Sequence, residues 1–259
     1  MNFGRIFVLA RNVFQEVIRD RILYIIGFYA LILAAAFRLL PEFSANTEDK
    51  MFLDFGIVAM NIISLIVAIF VGTGLVNKEI EKRTILVLIA KPVSRSEFIT
   101  GKYLGLSAVL AVLVSIMTAI YLGFLQFGAI PHPTVSILIA VIFLFLQMTL
   151  ITAVAITFGV FTNSLLAIAL TFAVYLMGNI TQDLLKFGHL TRNSNIERLT
   201  QGLYLILPDF SRLNLKNHAV YGLQALPDTT ALITNAGYGL LYSVILLAIA
   251  ILIFSQREF

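Results

Sequence analysis

The residues able to do chemistry in this chain are few and unevenly placed. There is no cysteine, which removes disulfides, thiolate metal sites and cysteine nucleophiles. His132, His189 and His218 stand far apart and make no ligand pair at helical spacing, so no metal site is expected. No G-x-x-x-x-G-K-[ST] occurs. The lone Gly101-Lys102 is followed by Tyr103 and lacks the upstream glycine, so the chain carries no ATP-binding P-loop of its own. What remains is a charged stretch from Asn77 to Lys102 and four amides, Asn61, Gln147, Asn179 and Gln182, set in otherwise apolar runs. Amides in such runs face the interior of a helix bundle. Their plainest role is interhelical hydrogen bonding, at about 0.6 kcal/mol per bond. As a set they are also the candidate lining of a pathway.

The charged stretch has a definite local order. Asn77 to Arg83 continues an apolar helix into water, with Glu79 and Arg83 an i,i+4 pair in the favourable sense and Glu81 and Lys82 between them. Ile85 to Ala90, with Leu86 and Leu88 at its centre, is an apolar run too short to cross a bilayer and poorly suited to water, so it needs a partner surface. After Lys91, Pro92 ends the helix, because its ring clashes with the preceding turn and it has no N–H to donate. Ser94-Arg95-Ser96-Glu97 is then an S-x-x-E capping box that starts a new helix at Phe98 and Ile99. The expected result is a rigid elbow between two long helices. On the residues alone it is either a loop tucked against its own bundle or a lever moved by a partner.

Those long helices follow from composition. Apolar residues make up 59% of the chain and charged residues 12%, with a mean hydropathy of +0.96. A soluble domain holds about 45–50% and about 25% respectively, so this chain belongs in a bilayer. The net charge of +4 comes from cations that flank apolar segments, which is the signature of membrane topology and not of nucleic-acid binding. A crossing takes about 20 apolar residues. Six candidates appear: 22–40, 52–76, 103–127, 135–161, one that begins at Leu165 and turns polar near Asn179, Gln182 and Asp183, and 230–254. The fold class is therefore an all-α integral membrane protein, one transmembrane domain over 1–259. Arg5, Arg11, Arg19 and Arg21, with Lys78, Lys82, Arg83, Lys91, Arg95 and Lys102, place both termini and the 77–102 segment in the cytoplasm. The segment 181–228 also carries cations, but long segments translocate with little regard to charge. Ala34-Ala35-Ala36 can be read as an A-x-A signal-peptidase site, but the 21 residues before the first apolar run are too many and too patterned for a signal n-region.

Residues 2–20 form an amphipathic helix. Phe3, Ile6, Phe7, Ala10, Val13, Phe14, Val17 and Ile18 make one stripe, and Arg5, Asn12, Glu16 and Arg19 lie opposite, as in a helix resting in the interface among lipid headgroups. Gly101 and Gly105, then Ala108 and Ala111, make a small-residue face that suits either a dimer contact or internal packing. In 181–228, too long for a plain loop, Leu203 to Leu207 ends at Pro208, and short helices dipping into the outer interface are expected.

The run from Glu79 to Lys102, with Thr84, Lys91-Pro92-Val93-Ser94-Arg95 and the closing Gly-Lys, resembles the cytoplasmic signature of type-2 ABC transporter permeases. It departs from the commonest pattern in having Arg83 where glycine often stands. The Leu207-Pro208-Asp209-Phe210 turn is similar to a Leu-Pro-Asn-hydrophobic turn in the branch containing the nitrous-oxide-reductase maturation permease. The resemblance implies an N-terminal interfacial helix, six spans, and a coupling helix at about Thr84 to Lys91. Glu79, Glu81, Arg83, Thr84, Leu86, Leu88, Lys91, Pro92, Ser94 and Arg95 would then couple to an ATPase. It further implies an exporter in the cell (inner) membrane, paired permease subunits forming a homodimer, and two copies of a separate ATPase that holds ATP and Mg, with no cofactor in this chain. Two other classes also predict membrane insertion: a secondary transporter or channel, and a membrane anchor that recruits a cytoplasmic protein. The first is disfavoured by the lack of intramembrane charge pairs and of matched broken helices. Only the ABC reading demands a P-loop partner.

Overall fold

The computed structural model describes residues 2–43, 48–81, 94–191 and 194–256. They are almost entirely helical, because a chain this apolar must satisfy its backbone polar groups within each segment once water is absent. Helix α1 (Phe3–Val17) runs through a π-helical turn (Ile18–Ile22) into α2 (Leu23–Phe43). It is followed by α3 (Glu48–Glu81), α4 (Arg95–Phe127), α5 (Thr134–Phe161) and α6 (Ser164–Asn179). Four short pieces come next: α7 (Thr181–Leu190), α8 (Ser194–Ile206), a 3-10 turn (Phe210–Leu213) and α9 (Lys216–Val220). A second 3-10 turn (Leu223–Ala225) leads into α10 (Thr229–Gln256).

Among the described residues, α2, α3, α4, α5 and α10 are each long and apolar enough to cross a membrane. A bent pair, α6 with α7, is the sixth candidate. Helix α6 has 16 residues, a rise of about 24 Å against a hydrocarbon core of about 30 Å, and α7 leaves it at 56°. Side chains take over backbone partners at the bend: Asn179 Nδ2 donates to the Tyr175 carbonyl at 2.8 Å and Thr181 Oγ1 to that of Met177 at 3.0 Å. The polarity near Asn179 and Gln182 thus marks a kink.

Helix α5 is the axis of the bundle, with α3 on one side and α10 on the other. The α3–α5 crossing is close because small residues meet there. A Cβ on Gly72 would collide with Ala155, and one on Gly159 would press on the Thr73 carbonyl. Tyrosines stitch the other half of the bundle: Tyr29 Oη donates to the Gly56 carbonyl at 3.1 Å and Tyr121 Oη to that of Leu53 at 2.9 Å, both rings fully buried. The segment after α7 is anchored in the bundle. Phe210 and Leu213 are completely enclosed, and Phe210 wedges against Gly178 and Tyr175 of α6. We call the end where α3 finishes and α4 begins the near end, and the end carrying α7 to α9 the far end.

Candidate functional site

Four helix termini converge at the near end. The capping box is formed as read: Glu97 N–H donates to Ser94 Oγ at 3.2 Å, and Ser94 N–H returns to Glu97 Oε2 at 3.0 Å. Glu97 does more than cap. Its Oε1 accepts the backbone N–H of Asn2 at 2.6 Å, and Arg5 approaches Oε2 at 4.0 Å, so one buried carboxylate joins the starts of α1 and α4. Asn2 in turn caps α1, accepting from Gly4 N–H at 3.0 Å. Arg95 reaches across to α10, donating to the Phe254 carbonyl at 3.1 Å and to that of Ser255, which puts a cation on a helix C-terminus where the dipole favours it. Phe98 stacks on Phe254 at 5.6 Å alongside.

The last tie joins α3 to α4. Lys102 Nζ donates to Glu79 Oε1 at 2.5 Å with its ammonium 5.5 Å above the Phe98 ring. The lysine side chain is 8% exposed and the glutamate 25%. A pair this sheltered costs about 3–5 kcal/mol when one partner alone is removed, so it holds the two helices in register.

Helix α1 lies on the small face of α4. A Cβ on Gly101 would strike Leu9, and one on Gly105 would strike the Ala10 carbonyl and Val13. The glycines therefore pack internally. Their contact surface is Ile6, Leu9, Ala10 and Val13, which includes Leu9, outside the stripe read from sequence. Phe3 and Phe7 of that stripe stay exposed and face outward. Ala108 is exposed too and takes no part.

Of the expected coupling residues, Glu79, Ser94 and Arg95 are brought together at the near end, and Glu81 closes the backbone of α3. Arg83, Thr84, Leu86, Leu88, Lys91 and Pro92 lie outside the described residues. The four amides do not form one site. Asn61 Nδ2 donates to Tyr175 Oη at 3.3 Å, and Asn179 bonds the carbonyl of that same tyrosine. Gln147 is buried on α5, with no partner for its Nε2 among the described residues. Gln182 belongs to a far-end cluster, donating to Asp209 Oδ2 at 3.0 Å. Sequence reasoning missed Asn2, Tyr175, Arg212 and Tyr238 as structural ties. Only the capping pattern at Ser94 hinted that Glu97 mattered.

A multi-pass helical bundle with an amphipathic helix bound at its charged end is the architecture of an all-α integral membrane protein. A family model described as ABC-2 family transporter protein matches residues 7–259, and the chain belongs to that family. It is accordingly a permease subunit of an ABC transporter, a class that is not itself catalytic and that in general works with an ATPase partner. No curated protein matches the chain.

Proposed function

We propose that the chain is the permease of an ATP-driven exporter, and that a separate ATPase, two copies to a permease homodimer, docks on the segment from Glu79 to Arg95. ATP and Mg would be held by that partner. The observation that carries the reading is the set of ties on either side of residues 82–93. Helix α3 enters the segment locked to α4 through Glu79 and Lys102, and α4 leaves it locked to α1 through Glu97 and to α10 through Arg95. A displacement of the segment would be delivered to four helices at once as a rigid-body movement, the form that two-state coupling takes. The positive-inside distribution of Lys and Arg supports a cytoplasmic near end and a cell (inner) membrane location. The Leu207–Phe210 turn supports the branch that contains the nitrous-oxide-reductase maturation permease. Asn61, Gln147, Asn179 and Gln182 are the candidate pathway polar groups in this reading, with Asn61 and Asn179 at Tyr175, Gln182 at Asp209 and Gln147 apart from them on α5.

The test is recovery of the partner. Gentle extraction should bring down a stoichiometric protein carrying G-x-x-x-x-G-K-[ST]. Exchanging Leu86 and Leu88 for serine should lower its retention roughly tenfold, as expected for apolar anchors of an interface, with membrane insertion intact. Arg95→Glu should keep the partner bound but uncouple its ATPase activity from transport, because it breaks the α10 tie. Normal retention and transport in all these variants would remove the coupling assignment.

A further inference from the structure

A cleft of about 530 Å³ opens beside the near end, walled by the α1–α2 elbow, α3 and the start of α6. Its volume lies in the range of about 300–1,000 Å³ usual for small-ligand sites. The polarity is graded. Val67, Phe70 and Val71 of α3, with Ile25 and Ile168 opposite, line the deep part, and Glu16, Glu79 and Lys102 stand at the mouth. From Val67 to Glu79 the helix rises about 18 Å, a little more than one leaflet of a core about 30 Å thick. The cleft is therefore apolar through the depth of one leaflet and charged where headgroups lie. That gradient matches a membrane amphiphile standing in its ordinary orientation, and it does not suit a soluble ligand or a water-filled path.

The mouth also selects among headgroups. Among the described residues at the mouth, Glu79 and Lys102 pair at 2.5 Å, and Glu16 stands exposed at the rim. Arg19, one turn further on, does not line the cleft. We propose that this cleft seats one phospholipid of the near-end leaflet, with an acyl chain along α3 and an ammonium-bearing head, phosphatidylethanolamine by class, held at Glu16. The site makes no use of the ATPase segment, so it stands or falls separately from the docking proposal.

The chain has no tryptophan, so Phe70→Trp places a single reporter in the cleft wall. The full-length protein in detergent micelles is titrated with phosphatidylethanolamine or phosphatidylglycerol carrying brominated acyl chains, which quench the indole on contact. The ethanolamine lipid should half-quench at a mole fraction roughly three- to fivefold below that of the glycerol lipid, the scale of one exposed charge contact. The net charge of +4 would on its own favour the anionic lipid, so this order cannot arise from bulk attraction. Glu16→Gln should bring the two curves together, and Val71→Phe should move both to a common, weaker value with helicity unchanged by circular dichroism. Coincident curves in the Phe70→Trp protein, or a preference that survives Glu16→Gln, would overturn the proposal. So would quenching that appears only after a permease dimer is dissociated, which would assign the cleft to a second copy of the chain. Glu16 is exposed, so its variant tests the head contact even if Val71→Phe fails to fold.

Discussion

Asp209→Ala is expected to loosen the far end and lower the thermal midpoint by about 10 °C. The carboxylate is 2% exposed and fully used. Oδ1 accepts from Ser211 N–H at 3.1 Å and from its hydroxyl at 2.5 Å, and Oδ2 accepts from Gln182 Nε2 at 3.0 Å and Arg212 Nε at 3.1 Å. The Asp209 N–H donates to Tyr238 Oη at 2.9 Å, and Arg212 donates to Tyr204 Oη at 2.7 Å while lying 4.9 Å from the Tyr238 ring. Asp209 thus connects α7, the 3-10 turn and α10, and through Arg212 it also reaches α8. Alanine would leave Gln182 and the guanidinium facing a gap. Breaking a buried pair from one side costs about 3–5 kcal/mol, and the lower end applies because the Arg212 side chain keeps 37% exposure. About 3 kcal/mol corresponds to a shift of about 10 °C in a chain this long. Asp209→Asn keeps one oxygen to accept from Ser211 but turns an NH2 toward Arg212 and Gln182, and because the Gln182 amide can rotate to meet it, the variant should lose less than alanine does. Melting curves in one detergent decide it: a midpoint within two degrees or so of the parent for Asp209→Ala would mean the cluster does not hold the far end together.

The sequence shows some of this and hides the rest for physical reasons. The spans are legible because bilayer thickness fixes their length, and the Ser94–Glu97 box because a cap is local. The bend after Asn179 is legible only as polarity, since the side chains that compete with the backbone there also suit a loop. Glu97 bonding Asn2 is invisible, because the partners are 95 residues apart and nothing in the spacing of either announces the other. Gly101 and Gly105 declare a close approach but not what approaches. The α1 stripe is broader than its contact with α4: Ile6, Ala10 and Val13 meet the glycine face, Phe14, Val17 and Ile18 pack on the core beyond it, and Phe3 and Phe7 face outward. Phe210 after Pro208 reads as one aromatic among many, and only the fold shows that Gly178 leaves room for it.

Gly105→Leu is expected to unseat α1 and, with it, the transmission of force at the near end. Overpacking typically costs about 1–3 kcal/mol. The upper end applies here because the obstacle is the backbone carbonyl of Ala10, together with Val13, and a backbone cannot rotate away as a side chain does. About 3 kcal/mol raises the population of lifted α1 by roughly two orders of magnitude. The native chain has no cysteine, so Ile6→Cys, at a position 5% exposed against α4, is a unique reporter. Its maleimide labelling, gated by that opening, should speed up by a similar factor. Once α1 leaves, Glu97 loses the Asn2 N–H and Arg5, and the start of α4 keeps its own cap, its Arg95 and Phe98 contacts with α10 and the Lys102–Glu79 pair. Transport should then fall about tenfold while the protein still inserts. Gly123→Leu on the same helix is the control, because nothing stands within 4 Å of its added Cβ, and it should change neither readout. If Gly105→Leu labelled no faster than Gly123→Leu, α1 would not be seated on this glycine face, and the route from the coupling segment through Glu97 would have to be abandoned.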